Sequence, residues 1–145
     1  MATVLDFRGA KVNIEEGVHH LYEDFVSRAA KDAEDRPFAT MKDVFMAAAC
    51  LGARVGQSSP LQEKRRDIFA AEVFDARTDV PVLGALAYKL ESNVEVLYDG
   101  KKVLQLVEMW ANSGIHLLNE ELTNRAGLRR LDKLVDLVLD HEQEP

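Results

Sequence analysis

The sequence is poor in the residues that usually give a small protein an obvious chemistry. Its single cysteine, Cys50, excludes an internal disulfide framework and a cysteine-rich zinc module. Eight glycines and four prolines are too few for a collagenous or low-complexity chain. There is no Gly-Lys-Ser or Gly-Lys-Thr of a phosphate-binding loop and no glycine run of a dinucleotide fold. Ser27, Ser58, Ser59, Ser92 and Ser113 lie in no nucleophile elbow. No apolar run approaches the ~20 residues of a membrane helix. The start, Met1 to Arg8, lacks the basic and apolar regions of a signal peptide, so a cytoplasmic protein is expected. A basic excess is missing too: 18 Lys+Arg stand against 25 Asp+Glu, a formal charge of −7. Residues 1–60 carry 9 acids and 7 bases and residues 61–145 carry 16 and 11, so neither half is basic. Non-specific DNA binding is driven by counterion release from phosphates, and a whole-domain electrostatic clamp on DNA is therefore excluded. Together these absences predict a protein that is not an enzyme and holds no cofactor or metal.

What remains is a 145-residue chain, 47% hydrophobic, of a size for one domain with one core. Its periodicity reads as a mainly α fold: a compact bundle of about five helices with room for one short β element. Residues 1–12 read as an extended arm or a short strand. Asn13 with Glu16 has the spacing of a capping box, and Val18, Leu21, Tyr22, Phe25 and Ala29 then mark one helix face to about residue 30. The charged stretch 31–37 ends in Pro37 and reads as a loop. Thr40 with Asp43 repeats the capping pattern before a second helix that ends near Gly56. Its Ala47-Ala48-Ala49-Cys50 run is small-sided, so another backbone can come close. Cys50, mid-helix among alanines, reads as a buried structural thiol. Residues 56–60 form a loop, and 67–75 read as either a strand or a helical turn. Asp79 is expected to cap a third helix over 81–90, with Pro81 in its first turn. A long helix covers 101–122, and a last one 128–139 with Leu128, Leu131, Leu134, Val135 and Val138 inward.

Three groups of residues carry the candidate chemistry. His19, His20, Glu23 and Asp24 are the only cluster of metal-ligand types, and a solvated charged helix face explains them better than a metal site, which needs three or four converging ligands. Lys64, Arg65 and Arg66, and Arg125, Arg129 and Arg130, form two basic clusters able to meet a phosphate backbone or an acidic partner. Nearby acids favour solvated faces, and no aromatic interleaves with them for base stacking. The long helix is apolar on more than one side: Leu104, Met109 and Ile115 lie off the stripe that contains Trp110. Trp110, Met109 and Ile115 therefore mark a candidate interface, and a symmetric homo-oligomer packed through this helix and through Ala47, Ala48, Ala49 and Gly52 is expected.

The run Pro37-Phe38-Ala39-Thr40-Met41-Lys42-Asp43, the Ala-Ala-Cys-Leu-Gly segment, Pro60-Leu61, Ile68-Phe69 and Glu108-Met109-Trp110-Ala111-Asn112-Ser113-Gly114-Ile115 follow one another along the chain. In this order they resemble the bacterial Dnd system-associated protein 4 family. The resemblance covers about residues 13–122 and leaves the tail outside. It implies membership of a DNA phosphorothioation-linked antiphage defence and restriction module, in which larger restriction or modification proteins are the expected partners. It implies no catalytic residue. Asn112 and Gly114 fit a packing role, Gly admitting a close neighbour and Asn bonding a nearby backbone. The reading is thus a non-enzymatic accessory protein acting by protein–protein contact, and its rival is a direct DNA-binding module using the basic clusters.

Overall fold

The computed structural model describes residues 5–29, 34–62, 64–123 and 129–142. In chain order the elements are β1 (Lys11–Glu15), α1 (His19–Phe25), α2 (Met41–Val55), β2 (Arg65–Ala70), α3 (Asp79–Glu91), α4 (Gly100–Thr123) and α5 (Arg130–Glu142), with single 3-10 turns at Glu16–Val18, Ala71–Val73 and Val94–Tyr98. The fold is mainly α with one small antiparallel sheet, β1 against β2.

The centre is the crossing of α2 and α4. Helix α2 starts in a full capping box, Thr40 accepting the Asp43 N–H while the Asp43 carboxylate accepts the Thr40 N–H, and it stops at Gly56, whose φ of 81° is left-handed. Ala48, Ala49 and Gly52 are buried against α4. A Cβ at Gly114 would overlap the Ala48 carbonyl, and one at Gly52 would overlap the Trp110 carbonyl. The two backbones are therefore in contact, and Ala48, Ala49 and Gly52, expected to receive another molecule's helix, receive the chain's own α4, while Ala47 is only half-buried. Trp110 and Ile115 are likewise buried in this core, and only Met109 of the three is half-exposed. The second apolar side of α4 is used internally, by α2 on one side and by β1 and α3 on the others. Trp110 Nε1 donates to the Leu86 carbonyl at 2.8 Å, tying α4 to α3.

Four other expectations are corrected. Asn13 caps no helix; it lies in β1, where Val12 and Ile14 alternate inward, and the first helix begins only at His19 and ends at Phe25. The ladder bulges between Val12 and Asn13, and there the Asn13 N–H donates to the Glu108 carboxylate at 2.7 Å. Asp79 is the first residue of α3 and not its cap; its carboxylate accepts the Asp75 N–H and the Lys42 ammonium, both at 2.8 Å. Cys50 is exposed, on the face of α2 opposite the crossing. Val135 and Val138 face outward, because α5 turns Leu134, Leu137 and the buried Lys133 toward α4, the Lys133 ammonium capping the Leu122 carbonyl at 3.1 Å. The stretch 67–75 is both things at once, strand to Ala70 and a 3-10 turn after it. Leu128, and residues 30–33 of the first helix end and loop, lie outside the described residues.

Candidate functional site

The basic residues are mostly answered within the chain. Arg66 pairs with Glu16 at 3.3 Å, Arg129 with Glu34, and Arg130 with Asp24 at 2.7 Å while lying 5.0 Å over the Phe25 ring. Arg65 donates to the Leu61 carbonyl, and Lys64 is exposed at the start of β2. Arg125 lies outside the described residues. The two clusters sit on different elements, β2 and α5, so the fold gathers paired cations and no single basic face from the residues it describes. On α1, His19 Nδ1 lies 2.8 Å from Glu23 Oε1, an i,i+4 pair on the helix surface. Among the described residues no three His, Cys, Asp or Glu side chains come together in a metal-binding group.

Asn112 has a structural task. Its amide donates to the Ser59 carbonyl, the Ser59 hydroxyl and the Pro60 carbonyl at 3.2–3.3 Å, and the Ser59 N–H donates to the Met109 carbonyl. It thereby pins the 56–60 loop onto α4. Glu108, one turn earlier, is buried under the sheet; burial pushes its carboxyl up to about 7, partly opposed by the Asn13 N–H and by Arg65. The nearby Tyr22 hydroxyl is fully buried without a hydrogen-bond partner among the described residues, and burial together with Glu108 pushes its pKa up.

An extended apolar face lies on α3. Residues 80–88 of α3 carry no charge, and only Leu83, Gly84, Leu86 and Ala87 are buried. Pro81, Val82, Ala85 and Tyr88 face outward, with a hollow on each side. On one side a groove of about 680 Å³ runs between α2, α3 and α5, with Leu51, Leu86 and Leu118 among its apolar lining. Cys50 and Arg54 line it from α2, and the surrounding apolar surface pushes the Cys50 thiol above its ordinary range. On the other side Leu5, Val80, Tyr88 and Leu97 line a shallow, open hollow of about 450 Å³, beside exposed Val94 and Tyr98. Sequence reasoning placed its candidate interface on α4 and did not single out this exposed apolar face. The signal was present: a helix without charge over nine residues is apolar on every side, and a core beneath it covers only one.

A family model described as DNA sulphur modification system-associated protein 4 matches residues 12–145. The chain belongs to that family. The match takes in α5 and so includes the tail that the motif resemblance, ending near residue 122, left out. No curated protein and no solved structure matches the chain. The residues that carried the family resemblance are those of the architecture: the Thr40 cap, the α2–α4 crossing at Gly52 and Gly114, and the Asn112 clasp. No helix among the described residues is long and apolar enough to cross a membrane.

Proposed function

We propose that this protein is a non-enzymatic accessory component of a DNA phosphorothioation-linked defence and restriction system, and that it acts by docking onto a larger restriction or modification protein of that system. The observation that carries the reading is the outward face of α3, where Pro81, Ala85 and Tyr88 stand uncharged between two apolar hollows. Contiguous exposed apolar surface is a common feature of interaction sites in soluble proteins, and tyrosines such as Tyr88 and Tyr98 are frequent anchors in them. Membership of a DNA sulphur modification system-associated family supports a partner from the same system. Direct DNA binding is the weaker reading, since Arg66, Arg129 and Arg130 already face carboxylates.

Co-expression with the other proteins of the same Dnd system, followed by size exclusion, tests the proposal. The chain is expected to migrate with one of them, and Tyr88→Glu to release it while remaining folded. Migration apart from every one of them would overturn the reading.

A further inference from the structure

The groove and the outer side of α5 form a single surface that is polarised from edge to edge. On the α2–α3 side, Arg54 and Lys89 line the groove; both are exposed, and neither has an ion-pair partner among the described residues. The surface then passes over the apolar lining to the α5 wall of Leu134, Leu137 and Val138. It continues onto a crest: Val135, Val138 and Leu139 are 48%, 52% and 47% exposed, and their spacing puts them on one stripe. Beyond the crest, Asp132, Asp136 and Asp140 repeat every four residues along the next row of the helix, with Asp132 and Asp140 exposed. The order across the patch is base, apolar groove, apolar crest, acid.

We propose that this patch is the contact of a two-fold homodimer, the α5 crest of each copy packing across the groove of the other. A two-fold axis apposes a patch with itself turned around, so residue i meets residue j and j meets i. Here that rotation brings the carboxylates beyond one crest to Arg54 and Lys89 of the second copy, twice over, with groove against crest between them. A patch of one sign would repel itself; this one complements itself. The homodimer takes the groove and leaves the Val80, Tyr88 and Leu97 side of α3 to a Dnd partner, and the isolated chain suffices to test it.

Light scattering of the full chain at tens of micromolar should give twice 16.2 kDa; the monomer mass there would overturn the proposal. Two charge-reversed variants then locate the contact. Arg54→Glu with Lys89→Glu leaves both edges acidic, and Asp132→Lys with Asp140→Lys leaves both basic. Each is expected to be monomeric alone, with unchanged helical circular dichroism, and a one-to-one mixture is expected to recover the dimer. Folded variants that stay dimeric alone, or fail to associate when mixed, would place the contact elsewhere. A cross-link gives a check that does not depend on those variants folding. Leu139→Cys is expected to form an intermolecular disulfide with Cys50 under mild oxidation, and a dimer without that cross-link counts against this face.

Discussion

Single residues set the tightest constraints. Gly114 lies where the α4 backbone meets the Ala48 carbonyl of α2, so a methyl group there has no space. Gly114→Ala is expected to cost about 3 kcal/mol by forcing the two helices apart, read as a lower denaturant midpoint at unchanged slope. Glu108 gives a pH signature. Its carboxyl, ordinarily at 4.5, is held up to about 7 by burial, against the opposing pull of Arg65 and with Asp67 adding to it; Lys11 and Lys101 also line the small cavity beside it. The folded state therefore keeps a proton that the unfolded state gives up. The resulting stabilisation is full below about pH 4.5 and is lost as pH rises toward 7. Unfolding measured across that window should show on the order of 3 kcal/mol of decline from this residue, and Glu108→Gln should flatten it. The close approach at Gly114 and the backbone bonding of Asn112 were legible in the sequence, because Gly and Asn have few reasons to sit inside an apolar helix. The burial of Glu108 was not legible, since the strand N–H that its carboxylate accepts from is 95 residues away.

At the scale of elements, α2 is legible from its own local signals, whereas β1 and the facing of α5 are set by distant contacts. The α2 boundaries follow from Thr40, Asp43 and Gly56, all local. Thr40→Ala should remove the cap bond to the Asp43 N–H and lower stability by about 1 kcal/mol, measured by chemical denaturation. The sheet illustrates the opposite case. Asn13 and Glu16 satisfy the spacing of a capping box, yet Val12 and Ile14 gain more by alternating inward against α4 and pairing with β2. That choice depends on residues 65–70, more than fifty positions downstream. The facing of α5 was misjudged for a similar reason. Lys133 is a charged residue, but it occupies the inward position because its ammonium reaches the open carbonyl end of α4, and this turns Val135 and Val138 outward.

Over the whole molecule, exposed apolar surface lies on α3 and α5, while most of the apolar surface of α4 is buried. The sequence showed that more apolar surface exists than one core consumes; only the fold shows that Trp110 and Ile115 are consumed and that Val82, Tyr88, Val138 and Leu139 are left outside. The paired arginines carry their own expectation. A shift assay at low salt on modified and unmodified duplexes should show no complex at micromolar protein, whereas a complex that dissociates steeply with added salt would favour direct DNA contact. The central claim is that this family member works through the apolar face of α3. Hydrogen exchange of the chain, alone and co-purified with its Dnd-system partner, measures that face directly. The account predicts slowed exchange over residues 80–98 in the complex, with little change at β2. Unchanged exchange over 80–98, with protection confined to residues 64–66 and 129–130, would contradict it.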